Sequence, residues 1–131
     1  MIAVDTNLVG RVLTEDDPYQ AKRAAKIMDS EAIFIPKTVM LETEWVLRHA
    51  YEIGKEAIIG GFEKMMGLTN VHVEDQQTVF QAMSWYGSGL DFADALHLAS
   101  SMKADEFVTF DKAFIEKARK LVSIDITLHS L

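Results

Sequence analysis

Four carboxylates in this chain stand where their type and context could do chemistry. Asp5 directly follows the apolar run Met1–Val4, and Asp111 directly follows Phe107–Phe110. Apolar runs this short and continuous read as buried strands of a parallel sheet, and the carboxyl ends of such strands are where open α/β sheets bind ligands. Taken singly, each aspartate is as simply the N-cap of the helix that follows. Glu42 lies on a helix opened by Pro36, where its neighbours three and four residues away are Val39, Trp45 and Val46. That stripe turns Glu42 toward the core side, where a lone carboxylate must be paired, neutralised or bound to a metal. Glu44, with Arg48 at i+4, reads instead as a solvated rim position. In Asp91-Phe92-Ala93-Asp94-Ala95-Leu96-His97 the two acids share one face of a helix start. Asp91 reads as the cap, and Asp94, among small and apolar residues, as the functional acid.

Asp5, Glu42, Asp94 and Asp111 come from four separate elements, which a three-layer fold could bring to one end of its sheet. Converging carboxylates repel one another unless cations intervene. An oxygen-only donor set suits a hard divalent ion, Mg²⁺ or Mn²⁺, which activates water and stabilises charge on a phosphate under attack. His97, at i+3 from Asp94, could contact a phosphate or act as a general acid, or could be structural. His49, His72 and His129 lack the spacing of a shared metal site. Arg11, Lys22, Arg23 and Lys26 on the first two helices, with Lys37 and Lys112, could rim such a cleft toward RNA; each is just as readily an ordinary solvated helix residue. Trp45, Tyr51, Phe62, Trp85 and Tyr86 recur at helical spacing with aliphatics, which points to core or interface more than to a base-stacking platform. The run Ala57-Ile58-Ile59 with Phe62, Met65 and Met66 could be a partner surface.

The elements that must position these residues follow from the same pattern. Met1–Val4, Ala32–Ile35, Val71–Val73 and Phe107–Phe110 are the expected strands, with Leu121–Ile124 as a fifth. Asp17-Pro18 caps and opens a helix to about Met28; Pro36 opens one reaching about Ile53; Lys55–Met66 is another. Asp75–Trp85, Asp91–Met102 and Asp111–Lys120 each begin on an acid suited to capping. Strands alternating with helices predict a three-layer α/β/α sandwich with a central parallel sheet of four to five strands.

With 131 residues, two prolines and no linker or repeat, residues 1–131 read as a single domain. The absence of cysteine excludes thiol catalysis, disulfides, and cysteine-ligated zinc or iron–sulfur clusters. A formal net charge of −7 argues against coating nucleic acid by bulk electrostatics, but not against cutting it at a metal site with a local basic rim. The opening MIAVDTNLVG has no basic leader, and nothing approaches the ~20 apolar residues of a membrane span. The expectation is a cytoplasmic protein with no membrane partner.

Four motifs carry a family resemblance: V-D-T-N at the first strand, the helical L-E-T-E-W, D-F-A-D-A-L-H-L-A late in the chain, and V-T-F-D-K-A-F after it. Over nearly its whole length the chain resembles the PIN-domain nucleases, most closely the VapC-like toxins of bacterial and archaeal toxin–antitoxin pairs. The resemblance implies an acidic Mg²⁺/Mn²⁺ site of Asp5, Glu42, Asp94 and Asp111, with Thr6, Asn7 and Thr109 as polar residues orienting ligands or water. Asp91 is an extra acid, placed to support these ligands or to join a second metal. The resemblance further implies endoribonuclease activity, a cognate antitoxin partner and a homodimer.

Rival functions lose on named residues. An aspartate-nucleophile phosphatase needs a second aspartate two residues after Asp5, where Asn7 stands. A phospho-accepting receiver domain wants paired acids after the first strand and an aspartate after a central one, whereas Ala32–Ile35 runs into Pro36-Lys37. A catalytically weak PIN-like domain that binds RNA or protein is the remaining alternative, and the presence of all four acids argues against it.

Overall fold

Short apolar runs form strands and the amphipathic stretches between them form helices, so the chain alternates the two. The structure, a computed structural model, describes residues 1–121 and 123–131. In order, the elements are β1 (Ile2–Ala3), α1 (Thr6–Thr14), α2 (Pro18–Ser30), β2 (Ile33–Ile35), α3 (Lys37–His49), α4 (Lys55–Met66), β3 (Val71–Val73), α5 (Gln76–Ser88), α6 (Phe92–Ala99), β4 (Glu106–Thr109), α7 (Lys112–Leu121) and β5 (Thr127–Ser130). Every strand pair among the described residues is parallel, which makes this the α/β class that the patterning predicts. Two compact units divide the chain, Met1–Gln76 and Gln77–Leu131.

In the first unit the strand order is β1-β2-β3. Ile33 pairs in register with Ile2 on one side and Val71 on the other, and Ile35 with Val73. Ile33, Ile35, Met40, Ile58 and Phe62 are fully buried together with Val9. Asp17 caps α2 by accepting from the Gln20 amide at 3.1 Å, with Pro18 at the first helical position. α3 stops at His49, short of Ile53, because Glu52 takes a left-handed backbone with φ 53° that no helix can continue through. Ile58, Phe62, Met65 and Met66 of α4 are buried, so this run is core of the unit and not the partner surface its composition allowed.

In the second unit β4 pairs with β5. α5 runs to Ser88, three residues beyond Trp85, and ends at Gly89, whose φ of +127° strains any other residue. A Cβ there would also meet the Leu121 side chain at 3.2 Å. α6 is shorter than its periodicity predicts, closing at Ala99 rather than Met102, and its apolar residues Phe92, Ala95, Leu96 and Leu98 are all buried. Three strand expectations need correcting. In the first unit Met1–Val4 shortens to Ile2–Ala3, with Met1 75% exposed and only Val4 of the run buried. The segment Phe107–Phe110 is shifted to Glu106–Thr109, with Val108 half exposed and Phe110 79% exposed rather than buried. Leu121 belongs to α7, Val122 lies outside the described residues, and the last strand is Thr127–Ser130. Helix α7 reaches that far because Phe114, Ile115 and Ala118 bury one continuous stripe, while the later alternation puts Leu128 inward between exposed Thr127 and His129.

No helix among the described residues is long and apolar enough to cross a membrane. Ile33, buried and paired on both sides, anchors the first sheet. Replacing it with alanine is expected to cost about 2–5 kcal/mol of stability, measured as a lowered urea midpoint at unchanged m-value.

Candidate active site

In the first unit the chain leaves β1 and turns into α1 at Asp5. The Asp5 backbone is extended, and its Oδ1 accepts from the Leu8 amide at 3.1 Å, so the helix cap fixes the carboxylate at the strand's carboxyl end. The next residue, Thr6, donates its hydroxyl to Glu42 Oε1 across to α3. Asp5, Thr6, Asn7 and Glu42 thereby line one cleft of about 360 Å³, whose apolar wall includes Val46 and whose far rim carries Arg11 and Tyr51. Arg11 is held firmly there: its Nε donates to Gln20 at 2.7 Å, and its Nη1 donates to Asp16 at 2.8 Å and to the Tyr51 hydroxyl at 3.2 Å. An adjoining cleft of about 730 Å³ shares Asp5, Asn7 and Arg11 and adds Arg23 and Lys26.

The burial expected of α3's two glutamates is inverted. Glu44 is 1% exposed, and Glu42 is exposed to the cleft. The helix turns Met40, Thr43, Glu44 and Leu47 inward, a stripe at the same three- and four-residue spacing as Val39, Glu42 and Val46. Arg48 makes this tolerable by donating from Nε to Glu44 Oε2 at 2.7 Å and from Nη2 to Oε1 at 3.3 Å, a bidentate pair that offsets the carboxylate's desolvation. Trp45, on the opposite side from that stripe, is exposed rather than core.

In the second unit Asp91, Asp94 and Asp111 line a hollow of about 160 Å³ together with Phe114 and Lys117. Asp91 caps α6, accepting from the Asp94 amide at 3.4 Å. Asp111 caps α7, accepting from the Phe114 amide at 2.9 Å, while its own amide donates to Thr109 Oγ1 at 3.0 Å. Burial, followed by the negative charges of Asp91 and Asp111, holds the Asp94 carboxyl above the usual aspartate range; His97 and Lys117 oppose this in part. A carboxylate so crowded is stabilised by a nearby cation. Among the described residues, no three His, Asp or Glu side chains within reach of one another form a ready-made metal cluster.

The remaining candidates are placed as follows. Asn7 is exposed at the cleft; His97 is exposed on α6, its carbonyl accepting from the Ser101 hydroxyl at 2.6 Å. Lys22 and Lys112 are exposed on α2 and α7. Lys37 is engaged by Asp75 at 3.3 Å, and its amide donates to Glu74 at 2.9 Å. Asp75 itself has a left-handed backbone, φ 50°, just before α5. Tyr51 and Lys117 were not singled out as site residues by spacing. Lys117 lies six residues after Asp111, a spacing that does not by itself face two side chains on a helix, and Tyr51 reaches the cleft through long-range folding alone.

The PIN domain family model matches residues 2–120, and the chain belongs to that family, whose members are generally nucleases. Among solved structures, the chain is similar to Mycobacterium tuberculosis VapC20, described as a sarcin-ricin loop cleaving toxin, at 22% identity and a TM-score of 0.45 over 95% of this chain and 99% of that one. No curated protein sequence matches it.

The Asp16 carboxyl at the cleft rim is lowered to about 2, first by the Tyr51 hydroxyl and then by Arg11 and Thr14. A carboxyl depressed in the folded state stabilises the fold above its unfolded value of 3.8, and that contribution is lost as pH falls toward about 2. An NMR titration is expected to find the Asp16 midpoint near that value, and Tyr51→Phe is expected to move it up toward 3.8.

Proposed function

We propose that this chain is a Mg²⁺- or Mn²⁺-dependent endoribonuclease acting as the toxin of a toxin–antitoxin pair. The observation that carries this reading is the hollow that gathers Asp91, Asp94 and Asp111, where burial and the two neighbouring acids raise the Asp94 carboxyl. A family of nucleases spanning Asp5, Glu42, Asp94 and Asp111 gives that crowding a purpose. In this reading the four carboxylates are the metal-holding set and Asp91 supports them. A bound divalent ion supplies positive charge to the phosphate under attack and acidifies the water that attacks it.

The chain's own residues do the rest. Thr6, by donating to Glu42 Oε1, fixes that carboxylate and leaves Oε2 to orient water. Thr109 and the α7 amide of Phe114 hold Asp111 from two directions. Asn7 lines both clefts and orients a ligand or water there. Arg11 meets phosphate oxygens, with Lys26 and Arg23 along the adjoining cleft. Lys22, Lys37, Lys112 and His97 are secondary contacts in this reading. Single-stranded or looped RNA fits a small cleft better than a duplex. The antitoxin partner, the homodimer and a cytoplasmic location belong to the same proposal, as does one PIN-like domain spanning residues 1–131.

A second reading is a PIN-like domain that binds RNA or protein without cutting, for which the basic side chains Arg11, Arg23 and Lys26 along the adjoining cleft would suffice. One experiment separates the two. Purified protein is incubated with a panel of labelled RNAs in Mg²⁺ or Mn²⁺ against EDTA, beside Asp94→Asn prepared identically. Cleavage is expected with metal alone and is expected to fall roughly 100-fold or more in the variant. Cleavage that survives both EDTA and the substitution removes the metal assignment; metal-independent RNA binding without cleavage supports the binding module.

A further inference from the structure

The two tryptophans of this chain are treated very differently by the fold. Trp85 is 7% exposed, as expected of a large aromatic, whereas Trp45 on α3 is 56% exposed. Its ring is supported by His49 one turn later, with centroids 4.7 Å apart and planes tilted by 39°. Trp45 follows Glu42 by three residues and immediately precedes Val46, and both of those line the cleft at Asp5. Trp45 itself lines neither cleft; it stands one turn along α3 from Glu42, on the helix that supplies one of the cleft's carboxylates.

The surroundings narrow what such a ring receives. Its neighbours one turn away on α3 are Thr38, Glu42 and His49, all exposed, and Leu41, half-buried. A protein interface core gathers several exposed apolar side chains into a patch, whereas Trp45 is the one large apolar side chain exposed on α3. A nucleobase needs one flat aromatic surface near a phosphate track, and Arg11, Arg23 and Lys26 supply that track in the adjoining cleft. We infer that Trp45, braced by His49, is a stacking platform for a base of single-stranded RNA next to the phosphate that is cut. The inference rests on the nuclease reading above and adds to it how the substrate is held. Stacking uses the π-face that every base has, so the platform positions RNA without choosing its sequence.

The test uses the Asp94→Asn protein with an unstructured RNA oligonucleotide that it does not cut. RNA is expected to quench the emission of Trp45, the accessible tryptophan, and Trp45→Phe is expected to remove that signal. By anisotropy with a labelled oligonucleotide, Trp45→Ala is expected to raise Kd about tenfold, while Trp45→Phe, which keeps a ring, stays within about threefold. In the parental background Trp45→Ala is expected to raise KM and leave kcat near the parent's. An unchanged Kd in Trp45→Ala overturns the platform, as does a Trp45→Ala protein that sediments as a smaller species than the parent, which would make Trp45 a contact between copies. Parental cleavage with an unchanged KM in the variant overturns the platform and leaves the nuclease reading standing; a parent that neither binds nor cuts RNA overturns both.

Discussion

A carboxylate at the start of a helix is held by the free amides of the first turn, and this chain places its acids by that one interaction. Asp5 accepts from Leu8, Asp91 from Asp94, and Asp111 from Phe114, each three residues ahead in the chain. The cap fixes where each acid stands, because the strand or loop before it sets the direction of the backbone and the helix after it sets the amide. Capping and chemistry are therefore compatible duties for the same side chain. One oxygen can answer the amide while the other faces solvent or a ligand.

Asp94 shows the complementary case. It lies inside the first turn of α6, and burial with two acidic neighbours outweighs whatever the dipole contributes. Such an arrangement stores electrostatic tension within the second unit, which a cation would release. In the first unit the Thr6 hydroxyl meets Glu42 with a hydrogen bond, while Arg11 on the same cleft is engaged by Asp16.

Much of this was legible from residue order, and the failures have physical causes. Asp17-Pro18 and Lys55–Met66 read directly because capping, proline placement and helical period are local properties. The strands Val71–Val73 and Ile33–Ile35 read well because each buries the two residues that flank its middle position, Val71 and Val73 about exposed His72 and Ile33 and Ile35 about half-buried Phe34. Glu42 and Glu44 were misread as to burial because α3 carries two apolar stripes, and only packing against the rest of the first unit decides which is inward. The ion pair with Arg48 was visible in the spacing, yet it marked a buried acid rather than a solvated one. Phe107–Phe110 misled because its composition is that of a buried strand, whereas β4 alternates between exposed and half-buried positions. The candidate acids were legible through motif and context; Tyr51 was not, since its role depends on a hydroxyl reaching Asp16 from 35 residues away.

The network around Arg11 bears on how strongly a ligand could be held. Flexible arginines lose rotamer freedom when they grip a phosphate, and that loss weakens association. Here Gln20, Asp16 and Tyr51 have already immobilised the side chain through Nε and Nη1, and among the described residues Nη2 carries none of these bonds. The ordering is completed when the chain folds, so an incoming oxyanion meets a preformed receptor whose affinity is less diminished by entropy.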